Sequence, residues 1–176
     1  MKAKEMPVLY YAYAAFLSLV FLLTFAILWL NNGHFIFTLD DPYIHLAVAE
    51  NLLKGHYGVN LNEYSAPSSS IIWPFLIAPL SSSDYSGYAL LLLNTLLSLA
   101  TIGFFNRIID LAVKNRAYPL AACHRFALLI AFALVANLIG LAFTGMEHNL
   151  QLLLAVIVMH GLLQVAYGGK ASSVLW

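Results

Sequence analysis

Charge is what this chain has least of. Only 9% of its 176 residues are Asp, Glu, Lys or Arg, against about 25% in soluble domains. The eight acidic and eight basic side chains cancel, so the basic footprint of a nucleic-acid binder is absent and no nucleic-acid partner is expected. A single cysteine, Cys123, excludes an internal disulfide and a Cys-based metal centre. Its expected role is that of a small buried or interfacial apolar side chain. Neither a His-x-x-x-His pattern nor a Gly-rich phosphate loop occurs, which removes the common zinc motif and argues against an ATP or nucleotide-sugar site. No cofactor and no metal site are implied, although a divalent cation is compatible with the acidic pair described below.

Apolar residues are abundant instead. They make up 62% of the chain, and the mean hydropathy is +0.83, which marks an integral membrane protein. Four segments reach the roughly 20 apolar residues that a membrane helix needs: 8–30, 88–109, 120–143 and 149–167. The last is the shortest and the weakest. The run Pro7 to Leu30 exceeds the roughly 7–15-residue core of a signal peptide and reads as an uncleaved span. The apolar stretch 71–80 is too short to cross, is interrupted by Pro74 and Pro79, and is expected in the interface or re-entering beside the bundle. The expected fold class is an all-α membrane protein, one transmembrane unit over residues 1–176. It has about four transmembrane helices and a large external loop, 31–87, containing an amphipathic interfacial helix.

Basic residues orient the spans. Lys2, Lys4, Arg107, Lys114, Arg116, Arg125 and Lys170 fall on one side and only Lys54 on the other. That places the N-terminus in the cytoplasm and the chain in the inner or plasma membrane. Asp40, Asp41, Glu50, Glu63, Asp84 and Glu147 all fall on the outer side. The positive-inside rule does not demand this acidic bias, so it independently puts any acid–base chemistry on the extracytoplasmic face.

The external loop carries the signature of one helix. Asp41 suits the N-cap, Pro42 the first helical position and Gly55 the residue just past the end. Ile44, Val48 and Leu52 recur every four residues as an apolar stripe, so a helix over about 42–54 is expected along the membrane surface. His45 lies one turn after Asp41 on the face beside the acidic pair. His56–Glu63 reads as irregular loop. Within the spans, Asn94, Ser98 and Thr101 share one face, and His160 and Gln164 lie one turn apart; such residues generally bond across helices. Tyr10, Tyr11, Tyr13, Trp29, Trp73, Tyr85 and Tyr88 read as an aromatic belt.

Asp40 and Asp41 are the first candidates for chemistry. One carboxylate suffices to cap a helix and its dipole; the second is free to accept a proton or hold a cation. Glu147, in the turn Thr144-Gly-Met-Glu-His-Asn149 between the third and fourth spans, approaches the pair if the spans bundle. His148 beside it reads as a solvated interfacial histidine.

Taken in order, Asp40-Asp41-Pro-Tyr-Ile, Ala49-Glu50-Asn51-Leu52 with Gly55, Tyr57-Gly58-Val59-Asn60 with Glu63, Ser68-Ser69-Ser70, Trp73-Pro74 and Thr144-Gly145-Met146-Glu147 resemble the N-terminal part of GT-C-fold glycosyltransferases. The closer likeness is to the bacterial mannosyl- and arabinofuranosyltransferase-like branch, and it covers roughly residues 8 to 165. These are polytopic enzymes of the cell envelope that use polyprenyl-phosphate-linked sugars. The resemblance implies a hexosyl- or pentosyltransferase acting at the extracytoplasmic face. Its partners would be the lipid bilayer, a polyprenyl-phosphate sugar donor and a glycan, lipid or protein acceptor. It implies catalytic roles for Asp40, Asp41 and Glu147, with Asp40 as general base because Asp41 is the better cap. His45 and His148 become candidates for contact with the donor phosphate. Family members have more spans, so the chain is expected to correspond to the N-terminal part of a larger GT-C-like module, a truncated frame or a short subunit. The competing expectation is a non-catalytic four-helix membrane scaffold or assembly partner. A small transporter is disfavoured, because the spans hold no acidic residue apart from Asp110 near an end and no internal repeat is evident.

Overall fold

A computed structural model of the chain describes residues 6–113 and 120–167. The basic residues Lys2, Lys4, Lys114, Arg116 and Lys170 of the orientation argument lie outside the described residues. Every regular element among those described is a helix: α1 (Met6–Leu30), α2 (Asp41–Leu53), α3 (Ile72–Ser81), α4 (Ser86–Val113), α5 (Ala122–Val135), α6 (Leu138–Ala142) and α7 (His148–Ala166). Three of them, α1 from Pro7, α4 and α7, are long and apolar enough to cross a membrane, the architecture of an integral membrane protein.

Helix α1 shows how sequence spacing becomes packing. Val8, Ala12, Phe16 and Val20 are spaced by four, share one face and are buried. They join Ile102 and Ile109 of α4, Leu129 and Ala133 of α5, and Leu138 and Ala142 of α6 in one core. The opposite face carries Phe21, Leu22, Phe25 and Trp29, all exposed. A helix apolar on every side needs a hydrocarbon surrounding for the face that the protein leaves open.

Helices α4 and α7 meet along a polar seam. The Asn149 amide donates to Asn94 Oδ1 at 3.2 Å, and Ser98 donates to Asn149 Oδ1 at 3.1 Å. All three residues are fully buried. Asn94 and Ser98 thus join helices, as their shared face predicts; Thr101 bonds back to Leu97 of its own helix.

The third expected span, 120–143, is broken, and it rather than the fourth is the weak one. α5 has 14 residues, about 21 Å of helix, which is short of the roughly 30 Å hydrocarbon layer. The chain then turns through Asn137 at φ +50° before α6. A Cβ at Gly140 would lie 2.5 Å from the Asn137 amide, so Gly140 is what admits this kink. The fourth span is an uninterrupted helix of 19 residues.

Between α1 and α4 the chain forms two helices rather than one. Segment 71–80 becomes α3, and neither proline stops it. Pro74 lies in the first turn, where no N–H partner is required, and Pro79 is accommodated inside the helix. α3 packs against α2 and α4. Trp73 is a core residue, not belt: it is buried with Phe37, Ala49, Ile77 and Leu90. Cys123 is exposed near the start of α5 rather than buried.

Candidate functional site

The site is assembled by two turns about 100 residues apart in sequence. One leads into α2 through Asp40, Asp41 and Pro42, and the other leads into α7 through Thr144–Glu147. Gly145 has φ +66°, and a Cβ there would fall 2.7 Å from Pro42 Cβ and 2.9 Å from Phe37 Cε1. Only glycine satisfies both the backbone angle and the contact. Thr144 Oγ1 donates to Leu141 O at 2.8 Å, and Trp73 Nε1 donates to Gly145 O at 3.3 Å. Thr38 Oγ1 reaches Phe143 O at 3.2 Å. The turn before α7 is thereby fastened to both α3 and the loop before α2.

That fastening brings His45 and Glu147 together. His45 Nε2 lies 3.9 Å from Glu147 Oε2, with side chains only 2% and 5% exposed. The serine run 68–70 closes over the pair. Ser68 Oγ donates to Ser70 O, which uses its only proton. His45 Nδ1, 2.9 Å from Ser68 Oγ, must then be the donor in that contact. The network thus assigns the Nδ1–H tautomer and leaves the Nε2 lone pair facing Glu147. Ser69 donates to Glu147 Oε1 at 3.4 Å, while Glu147 Oε2 is buried without a hydrogen-bond partner. Two acceptors therefore face each other, and the pair has the capacity to bind one proton or one hydroxyl donor. Burial pushes the His45 pKa down; the charges of Glu147 and Asp41 pull it up but do not win, and His148 adds to the lowering.

Asp40 and Asp41 are both exposed, and their placement corrects the sequence expectation by one residue. The helix begins at Asp41, so Asp40 occupies the cap position, and it makes no side-chain cap hydrogen bond. Capping therefore does not distinguish the neighbours. Surroundings do: the Asp41 charge acts on His45, opposing the burial that lowers its pKa. The Asp40 carboxylate has no partner among the described residues. The buried face of α2 is also rotated from the expected stripe. Pro42, His45, Val48 and Ala49 are buried, while Ile44 and Leu52 are half-buried. His148 is exposed, and its Nδ1 lies 3.4 Å from Gln151 Oε1. Among the described residues no group of three or more His, Cys, Asp or Glu side chains could hold a metal ion.

Ser68 and Ser69 stand in the sequence as part of the ordered series with Ser70, and nothing in that series assigns them their contacts with His45 and Glu147. Other positions in the ordered pattern build the loop rather than the site. Gly55, at φ +76°, ends α2, with His56 N–H bonded to Asn51 O and Gly55 N–H to Leu52 O. The Asn51 amide donates to Gly58 O and Val59 O at 2.9 and 2.8 Å. His56 Nε2 sits 2.8 Å from Asn60 O and 2.7 Å from Glu63 O. A Cβ at Gly58 would strike Glu63 O at 2.6 Å. The irregular segment 56–63 is therefore a tightly bonded loop that delivers the serine run to His45.

No family model matches the chain, and no similar curated protein or solved structure is found for it.

Proposed function

We propose that the chain carries the first part of a GT-C-like glycosyltransferase site, transferring a sugar from a polyprenyl-phosphate donor to an acceptor hydroxyl at the extracytoplasmic face. The observation that carries this reading is the docking of the Asp-Asp-Pro-Tyr-Ile-His segment onto the Thr-Gly-Met-Glu turn, with His45 and Glu147 buried against each other and two carboxylates open beside them. In this reading the membrane is crossed four times, with α5 and α6 together making the third crossing, and loop 31–87 lies outside.

Asp40 is the general base. Its unpartnered carboxylate takes the acceptor proton as the hydroxyl attacks the anomeric carbon and polyprenyl phosphate leaves. Asp41 sets the local field beside His45. His45 and Glu147 hold the start of α2 against the start of α7, and His148 is the exposed imidazole available to the donor phosphate. Transfer is measured from a polyprenyl-phosphate sugar in proteoliposomes that hold the chain. Asp40→Asn keeps shape and removes basicity, so the rate falls by about 10²–10⁴-fold while expression and thermal stability hold. Near-normal transfer by Asp40→Asn removes Asp40 as the base, and an inactive Asp41→Asn beside an active Asp40→Asn exchanges the two roles.

A further inference from the structure

A cavity of about 190 Å³ opens where α4 begins, apart from the His45–Glu147 pair. Four aromatic rings line it: Phe35, Phe37, Tyr43 and Tyr88; Leu46, Asp84, Ser86 and Gly87 complete the wall. The rings stand at angles to one another. Phe35 and Phe37 are nearly perpendicular, with centroids 5.1 Å apart at 83°. Phe37 and Tyr43 meet at 5.7 Å and 70°, and Tyr88 lies 5.3 Å from Phe35. The Tyr43 hydroxyl accepts the Phe37 N–H at 2.9 Å, which fixes one wall against another. Gly87 keeps the floor open, since a Cβ there would touch Phe35 at 3.4 Å and Phe37 at 3.7 Å.

The chemistry of this lining selects a cation. Aromatic faces are electron-rich and attract a cation within about 6 Å of the ring centroid. Asp84 adds a full negative charge; it is exposed and has no ion-pair partner among the described residues. No Lys, Arg or His lines the cavity. A hard metal ion is a poor occupant, because it wants about six oxygen ligands and the rings supply none. A primary ammonium is a poorer fit than a methylated one. Its three N–H groups need acceptors; Asp84 and the Ser86, Tyr43 and Tyr88 hydroxyls supply oxygens at the rim, but the ring carbons and Leu46 that make up the rest of the lining supply none. A trimethylammonium group has no N–H to satisfy and presents methyl groups to the rings.

We propose that this aromatic cage binds a quaternary ammonium group of the kind carried by choline, with Asp84 as its counter-ion. The site stands independently of the transferase reading, and its test does not use transfer activity.

The full chain is purified in maltoside micelles, which carry no ammonium headgroup, and choline is titrated calorimetrically beside 3,3-dimethylbutan-1-ol, its uncharged isostere. Choline binds saturably and the isostere at least about tenfold more weakly. Asp84→Asn and Tyr88→Leu each weaken choline by about 3- to 30-fold, the range of a single cation–aromatic or comparable ionic contact. Gly87→Ala adds a methyl in ordinary contact distance, so it folds and narrows the cage; its thermal stability matches the parent while choline binding falls. Repeating the titration in phosphatidylcholine and phosphatidylglycerol nanodiscs identifies the source. Suppression in the former alone means that the lipid headgroup fills the cage, and equal binding in both means a soluble ammonium ligand. Equal affinity for choline and the isostere, unchanged binding by both Asp84→Asn and Tyr88→Leu, or no saturable choline binding each overturns the proposal.

Discussion

His45 occupies a place on α2 that periodicity would give to an apolar side chain. Its burial is offset on one side only, where Ser68 receives the Nδ1 proton; on the other side a lone pair meets Glu147. The consequence for pH follows from the direction of the shift. Its folded pKa lies below the ordinary value of about 6.5. Between that folded value and about 6.5 the unfolded chain binds more protons than the folded one, so stability rises with pH in this window. The stability His45 contributes is present above about pH 6.5 and is lost as the pH falls toward the folded value. Thermal melts in detergent at about pH 7.5 and about pH 5 check this: the acid-induced loss is smaller in His45→Gln than in the parent, and an equal loss in both contradicts it. Glu147 is separable by a second pair of variants. Gln at 147 brings an amide N–H that can donate to His45 Nε2, whereas Ala leaves a cavity and a buried lone pair. Glu147→Gln therefore melts near or above the parent, and Glu147→Ala loses roughly 1–3 kcal/mol.

At the scale of elements, glycines and one asparagine fix what the helices can do. Gly145 is held by both its backbone angle and its contact with Pro42. Gly145→Ala meets strain and a steric clash together, so the cost exceeds the roughly 1 kcal/mol of an ordinary glycine substitution. Because the clash lies between the turns that lead into α2 and α7, limited proteolysis of loop 56–70 should accelerate in Gly145→Ala more than in a control such as Gly33→Ala. Gly33 also has a positive φ, but nothing lies within 4 Å of its missing Cβ. A similar rate in both variants would show that the docking does not protect the loop. These elements also show what the sequence made legible. α2 was readable within one residue because Pro42 and Gly55 act locally, through a fixed φ and a left-handed turn. The rotation of its buried face toward His45 was not readable, because it is set by α3 and by the turn before α7, which are remote in sequence. Trp73 misled for the same reason: an amphipathic ring near an apolar run suits an interface, and only the tertiary contact with Gly145 O makes it core. The break at Asn137 was hidden because Ala, Leu, Ile and Val surround it, and hydropathy does not register a single left-handed residue.

For the whole molecule, the question is which face of the bilayer receives the His45–Glu147 site. The long helices α1, α4 and α7 supply three candidate crossings, and α5 alone is too short to add a fourth. Two positions that flank α4 decide orientation without disturbing the core. Cys123 is exposed near the start of α5, and Asn62 is exposed in the loop between α2 and α3. With the N-terminus inside and α5–α6 acting as one crossing, a membrane-impermeant thiol reagent labels Asn62→Cys in a Cys123→Ala background in intact cells. Native Cys123 is labelled only after the membrane is opened. If α5 and α6 do not cross together, the start of α7 stays on the side of Cys123, and Glu147 cannot share a compartment with α2. The 3.9 Å approach of His45 and Glu147 therefore favours the arrangement in which the α5–α6 pair traverses the bilayer despite its kink. Labelling of Cys123 in intact cells, with Asn62→Cys protected, reverses the orientation and moves the site away from a donor presented at the outer face. Equal labelling of both positions in intact cells breaks the four-crossing arrangement. In that case α4 does not cross, and the His45–Glu147 contact requires that α5 and α6 stay on the same side as α2.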